Sequence, residues 1–261
     1  PVFVEIPAAD GTLLHGAIYR PPEADERGSR HPVIVSVYGG PHAQRVAEDW
    51  SLTVDLRAQY LAQNGYVVLK LDNRGSANRG LAFEAHLWKR MGTVEVDDQV
   101  RGVEYLSGLP FADVSRTGIY GWSYGGYMTC LALMRAPDVF SVGVAGAPVA
   151  DWDGYDTGYT ERYMSAPRIN PDGYREASVL THVEGLSGRL LLIHGLVDEN
   201  VHFRHTVRLV AALTRAQKEY DLLLFPAERH LPRGKEGLLY MESRLVEYFD
   251  RYLKGMDSGE T

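Results

Sequence analysis

The stretch that most constrains this chain is Gly121-Trp122-Ser123-Tyr124-Gly125-Gly126. The short apolar run Thr117-Gly118-Ile119-Tyr120 precedes it, and Tyr127-Met128-Thr129-Cys130-Leu131-Ala132-Leu133-Met134 follows. The setting reads as strand, tight turn, helix. A turn that tight needs glycine wherever a Cβ would strike the neighbouring strand or helix, and it holds its serine on a strained backbone. G-x-S-x-G in that context is the pattern of a nucleophile elbow. It poses a question to the rest of the chain, because a serine hydroxyl is a poor nucleophile until a base takes its proton and a carboxylate orients that base.

The surrounding pattern is α/β. Val2–Ile6 and Leu13–Tyr19 flank the turn signal Asp10-Gly11 and predict an opening hairpin. Pro21 to Pro32 is polar and proline-rich, a surface loop. Val33–Val37, Tyr66–Leu71, Val142–Gly146, Leu190–Ile193 and Tyr220–Phe225 are short apolar runs of the kind buried on both faces of a parallel sheet. Helical periodicity falls between them, over Leu52–Gln63, Val96–Ser107, Phe203–Ala216 and Gly237–Leu253. The alternation predicts an α/β-hydrolase fold: a mostly parallel sheet, antiparallel strands at the N-terminus, helices on both faces. From Pro148 to Gly188 the pattern breaks into an aromatic segment carrying Trp152, Tyr155, Tyr159, Tyr163 and Tyr174. Irregular stretches of that length are usually functional or carry short helices.

Composition excludes more than it proves. The 261 residues are 45% hydrophobic and 23% charged, enough for one sizeable core and one domain over 1–261. A net charge of −7 argues against a nucleic-acid or anionic-membrane surface, and no apolar run is long enough to span a membrane. Cys130, the single cysteine, sits in an apolar helical stretch and reads as a buried thiol. The histidines show no metal-ligand spacing, so no metal and no organic cofactor is expected. A chain that begins at Pro1 reads as a fragment or processed product. Cytoplasmic and periplasmic or secreted locations are both compatible with it.

Chain order supplies the partners of Ser123. In this architecture the acid and then the base follow the serine, each on a loop after a strand. Asp198 lies just past the Leu190–Ile193 run, and His230 just past Tyr220–Phe225. Of the nine histidines, His15, His31, His42 and His86 precede the serine, and His182 follows no strand. His194 precedes the candidate acid, and His202 and His205 head a helix and read as solvated. An oxyanion needs two donors. The backbone N–H of Tyr124 is one, and the loop Tyr38-Gly39-Gly40-Pro41 offers either a glycine N–H or the Tyr38 hydroxyl as the other. The aromatic segment, read from the residues alone, favours plain packing over a pocket, since aromatics mostly build cores.

Together these residues resemble the prolyl oligopeptidase family of serine peptidases, catalytic domain. The blocks that carry the likeness are Val37-Tyr38-Gly39-Gly40-Pro41, Asp72-Asn73-Arg74-Gly75-Ser76, Gly121–Gly126 and His194-Gly195-Leu196-Val197-Asp198-Glu199-Asn200-Val201. Tyr159-Thr160-Glu161-Arg162-Tyr163-Met164 and the stretch from Trp152 to Tyr155 look most like its dipeptidyl peptidase IV branch. The resemblance implies a Ser123–Asp198–His230 triad, with the Tyr38 hydroxyl beside the Tyr124 amide as oxyanion donors. It implies a pocket of Tyr124, Val149, Trp152, Tyr155 and Tyr159 for a proline- or alanine-sized side chain, and Asn200 on the carbonyl of the preceding residue. The implied activity is release of Xaa-Pro or Xaa-Ala dipeptides from peptide N-termini through an acyl-enzyme. Acylaminoacyl peptidases and oligopeptidases of the same family, and carboxylesterases of the same fold, are the alternatives, since fold alone does not fix substrate. Two departures stand out. The family's N-terminal β-propeller, on which the domain packs and with which it homodimerises, is absent from this chain, and with it the glutamates that hold a free N-terminus. In Ala227-Glu228-Arg229-His230-Leu231-Pro232, leucine stands where glycine is commoner after the histidine.

Overall fold

The structure is a computed structural model and describes residues 1–25, 28–50 and 55–256. Among them, eight strands form one sheet in the order β1-β2-β4-β3-β5-β6-β7-β8. These are β1 Val2–Pro7, β2 Leu13–Tyr19, β3 His31–Ser36, β4 Val67–Asp72, β5 Ala112–Trp122, β6 Val142–Gly146, β7 Arg189–Gly195 and β8 Asp221–Phe225. β1 pairs antiparallel with β2, and β2 antiparallel with β4; every later pairing is parallel. The sequence reading of the sheet holds, including its antiparallel opening. β3, β4, β6 and β7 are almost wholly buried because helices cover both faces, which is why they read as continuous apolar runs instead of alternating ones; β5 is buried over Thr117–Gly121.

Two buried clusters lie on opposite faces. One centres on the helix Tyr124–Arg135 with Leu69, Leu71, Ile119 and Leu192; the other gathers Ile34, Tyr66, Val68 and Tyr120 under the C-terminal helix Lys235–Phe249. Cys130 is fully buried in the first, where burial pushes its thiol up to about 12.

Element ends differ from expectation for local reasons. In the stretch predicted as helix over Leu52–Gln63, the described helix is Leu56–Gln63; residues 52–54 lie outside the described residues. Asp55 caps it, accepting from the N–H groups of Arg57 and Ala58 while it pairs at 3.0 Å with the buried Lys70 of β4. A cap of this kind contributes about 1 kcal/mol, enough to fix a start that periodicity leaves open. The last helix runs on from Phe249 into a π turn, Asp250–Lys254, where Asp250 accepts from the Tyr66 hydroxyl at 2.8 Å. The loop from Pro21 contains a 3-10 turn, Pro22–Asp25. The aromatic segment carries the helices Thr157–Met164 and Pro171–Ala177 and short 3-10 turns. Among the described residues no helix is long and apolar enough to cross a membrane.

Candidate active site

Ser123 sits where β5 hands over to the helix Tyr124–Arg135, with φ 61° and ψ −115°, a region that side chains other than glycine's rarely adopt. Its N–H donates to the Gly146 carbonyl of β6 (2.8 Å), and its own carbonyl accepts from Tyr127 (3.0 Å). The neighbouring glycines are steric requirements. A Cβ on Gly121 or Gly125 would stand 2.5 or 2.4 Å from the Val37 carbonyl oxygen, and one on Gly126 would stand 2.4 Å from that of Gly146. The elbow is therefore wedged between the ends of β3 and β6. The N–H groups of the helix's first turn, Tyr124 included, have no acceptor within the helix, and the dipole makes that end attractive to negative charge.

Asp198 and His230 meet as chain order predicts. His230 Nδ1 lies 2.7 Å from Asp198 Oδ2, so Nδ1 carries the proton and Nε2 keeps its lone pair. The other Asp198 oxygen accepts from the backbone N–H groups of Asn200 and Val201, both at 2.9 Å. Burial would raise the Asp198 carboxyl, but hydrogen bonds from His194 and His230 outweigh it and hold the group well below the usual carboxylate range. His194 is fully buried; its Nε2 faces only acceptors, the Val201 carbonyl (2.8 Å) and Asp198 Oδ2 (3.2 Å), and therefore carries a proton. Thr206 completes the set at His194 Nδ1 (2.7 Å). The loop that bears His230 is tied to the elbow itself: the Trp122 indole donates to the His230 carbonyl at 2.6 Å. It is also pressed against β7, where a Cβ on Gly195 would stand 2.1 Å from the Arg229 carbonyl oxygen.

Ser123 opens on a cleft of about 220 Å³. Every residue predicted for a pocket lines it: Tyr124, Val149, Trp152, Tyr155, Tyr159 and Asn200, with Tyr38 at its edge. The rings meet edge to face, stacked or tilted between the two, as their quadrupoles allow. Trp152 stacks on Tyr159 at 6.0 Å between centroids, and Tyr155 stands at right angles to Tyr159 at 5.5 Å. Tyr155 donates to Asn200 Oδ1 at 2.7 Å. Burial pushes the Tyr38 hydroxyl up to about 12, so it is a donor at any ordinary pH. The loop that presents Tyr38 is braced from β4: Asn73 donates to the Gly39 carbonyl (3.1 Å), and Gln99 donates to Asn73 (2.9 Å). The Asp72–Ser76 block is thus a buttress for the loop after β3. Tyr174, from the same aromatic segment, faces elsewhere and donates to the Ser165 carbonyl (2.8 Å).

Several residues escaped the sequence reading. His42, Arg162 and Tyr163 also line the cleft. Glu95 is fully buried with Oε1 accepting from the Tyr124 hydroxyl (2.8 Å) and the Gly92 N–H (2.7 Å), while Oε2 has no hydrogen-bond partner; burial raises its carboxyl to about 7. In sequence it is only an acid just ahead of the helix predicted over Val96–Ser107. His205, read as solvated, is buried; its Nδ1 accepts from the Ala150 N–H (3.3 Å), and burial lowers the ring to about 4. It anchors the start of the aromatic segment, while His202 is exposed.

Strand order, elbow and loop placement define an α/β-hydrolase. Residues 52–256 match the prolyl oligopeptidase family (Peptidase_S9) model, and the chain belongs to that family. It is 45% identical over 257 residues to dipeptidyl peptidase 8 of mouse and of human, covering 97% of this chain. The crystal structure of Porphyromonas gingivalis dipeptidyl peptidase 4 superposes with a TM-score of 0.88 at 34% identity, over 97% of this chain and 35% of that one. The chain spans 29% of the length of the mouse relative and 28% of the human one.

Proposed function

We propose that this chain is the catalytic domain of a serine dipeptidyl peptidase that releases Xaa-Pro and Xaa-Ala dipeptides from peptide N-termini. The observation that carries the reading is the strained Ser123 at the mouth of an aromatic cleft, with the loop tied to its elbow by the Trp122 indole bearing a histidine whose Nδ1 faces a buried carboxylate. Its relatives' names point the same way.

In this reading His230 Nε2 takes the Ser123 proton as Oγ attacks the scissile carbonyl. Asp198 steadies the imidazolium that results. The oxyanion receives the Tyr124 amide and the Tyr38 hydroxyl. His230 then passes its proton to the leaving amine, and a water repeats the sequence on the acyl-enzyme. The proline ring lies among Val149, Trp152, Tyr155 and Tyr159. The Tyr155 bond occupies the Asn200 acceptor, which leaves the amide's donor side for the preceding carbonyl. A further domain, of the β-propeller kind, supplies the groups that grip the free N-terminus, and the C-terminal helix contributes to a homodimer.

A fluorophosphonate probe tests the nucleophile. Ser123 is expected to label in the full-length protein, and Ser123→Ala to abolish both labelling and turnover of an Xaa-Pro anilide. Turnover of acyl esters with Xaa-Pro anilides untouched would overturn the substrate class.

A further inference from the structure

His42 was set aside as a candidate base because it precedes Ser123, yet it stands between two hydroxyls of the cleft. The chain turns back on itself at Gly40-Pro41, with the Ala43 N–H donating to the Gly40 carbonyl (3.3 Å), and returns the His42 ring to the Tyr38 side chain. His42 Nε2 lies 3.0 Å from the Tyr38 hydroxyl, and His42 Nδ1 lies 3.4 Å from the Tyr159 hydroxyl. Both tyrosine rings meet the imidazole edge-on, at 5.6 and 5.4 Å between centroids, so the ring plane is fixed as well as the nitrogens. Gly40 makes room: a Cβ there would stand 2.8 Å from Tyr38 and 2.9 Å from Tyr124.

Two proton arrangements satisfy these contacts. In one, the Tyr38 hydroxyl donates to Nε2 and its only hydrogen is spent on the histidine. In the other, Tyr159 donates to Nδ1, the Nε2 proton is donated to the Tyr38 oxygen, and the Tyr38 hydrogen is left for the cleft. An anion forming beside Tyr38 selects the second, since only that arrangement offers it a hydrogen. A hydroxyl that accepts a hydrogen bond is also a stronger donor.

We infer that His42 is a positioning residue that aims the Tyr38 hydroxyl into the cleft, as the middle of a donor chain running Tyr159, His42, Tyr38, oxyanion. No proton changes hands; the chain fixes directions. The inference rests on Tyr38 being an oxyanion donor, and the test separates the two claims.

The experiment measures kcat and KM of the full-length protein on an Xaa-Pro anilide for Tyr38→Phe, His42→Phe, His42→Gln and the Tyr38→Phe/His42→Phe double variant. Tyr38→Phe should lower kcat by roughly 10²–10³-fold, the usual effect of removing one oxyanion donor, and His42→Phe by roughly tenfold with KM little changed. His42→Gln, whose amide N–H can take the Nε2 position, should recover most of that loss. In the Tyr38→Phe background His42→Phe should cost nothing further, because the hydroxyl it aims is gone. An equal loss in that background, or an effect confined to KM, would make His42 a pocket wall and overturn the inference while leaving Tyr38 in place. A Tyr38→Phe variant with unchanged kcat would overturn the oxyanion role, and the aiming role with it.

Discussion

The two sides of the cleft are built by different physics. The side carrying Asp198 and His230 is a hydrogen-bonded frame at the carboxyl ends of β7 and β8, where both Asp198 oxygens and His230 Nδ1 have partners and glycine gaps set the spacing. The other side, from Val149 to Tyr163, is mainly rings packed against one another, with Tyr155 bonded to Asn200 and Tyr159 to His42 where the rings reach polar partners. Hydrogen bonds fix direction within tenths of an ångström; ring packing fixes shape and volume. The frame is suited to chemistry that every substrate shares. The ring wall is suited to choosing among substrates.

Substitutions can be used against that division. Asp198→Asn removes the acceptor that holds His230 in its tautomer, and should lower kcat by about 10⁴-fold on peptide anilides and simple acyl esters alike. If esters were spared, the frame would not be common machinery. Tyr159→Ala should lower kcat/KM for an Xaa-Pro anilide by roughly 10–200-fold, the worth of a hydrophobic pocket contact, while p-nitrophenyl acetate turnover stays within a few-fold. Equal losses on both substrates would dissolve the contrast.

Glu95 touches both sides through Tyr124, and its expected signature is a pH slope in stability. Burial raises its folded value to about 7 from an ordinary 4.5, so the protonated form is the favoured one in the fold. Its contribution is full below about 4.5 and is lost as pH rises toward 7, a change of roughly 3 kcal/mol. Glu95→Gln does not titrate. Urea unfolding of both proteins at pH 5 and pH 8 should therefore show the variant gaining on the parent at the higher pH; a constant difference would place the carboxyl in a more solvated setting. The smallest effect is at the rim. Tyr155→Phe frees the Asn200 amide to turn and should raise KM a few-fold with kcat unchanged, in line with about 1 kcal/mol for one hydrogen bond.

The same division governs what could be read from the sequence. The frame was legible because chain order and strand ends are local signals, and Ser123, Asp198 and His230 each sit at one. The ring wall was legible only through likeness, since tyrosines at Tyr155, Tyr159 and Tyr174 look alike in sequence while the last faces away from the cleft. His42 and Glu95 were missed because what makes them informative is a partner far along the chain: Tyr159 for one, Tyr124 for the other. His205 misled for the reverse reason. A polar residue near a helix start is ordinarily wet, and only the fold brings the 150–154 backbone over it. In the fold, the strands followed from their apolar runs, but the helix start at Leu56 depended on Asp55 being recruited by Lys70 of the next strand, which no periodicity encodes.

The bond from the Trp122 indole to the His230 carbonyl separates where the histidine sits from how the chain leaves it. Beyond that carbonyl the backbone runs out through the exposed Arg233 and Gly234 before the last helix begins. The Arg233 N–H donates to Glu228 Oε2 at 3.3 Å, and exposed connections of this kind tolerate cutting and lengthening far better than those that bear a catalytic position. This stretch is thus a natural splice point: an inserted tag, or a nick by a protease, between residues 233 and 234 would leave serine, acid and base assembled.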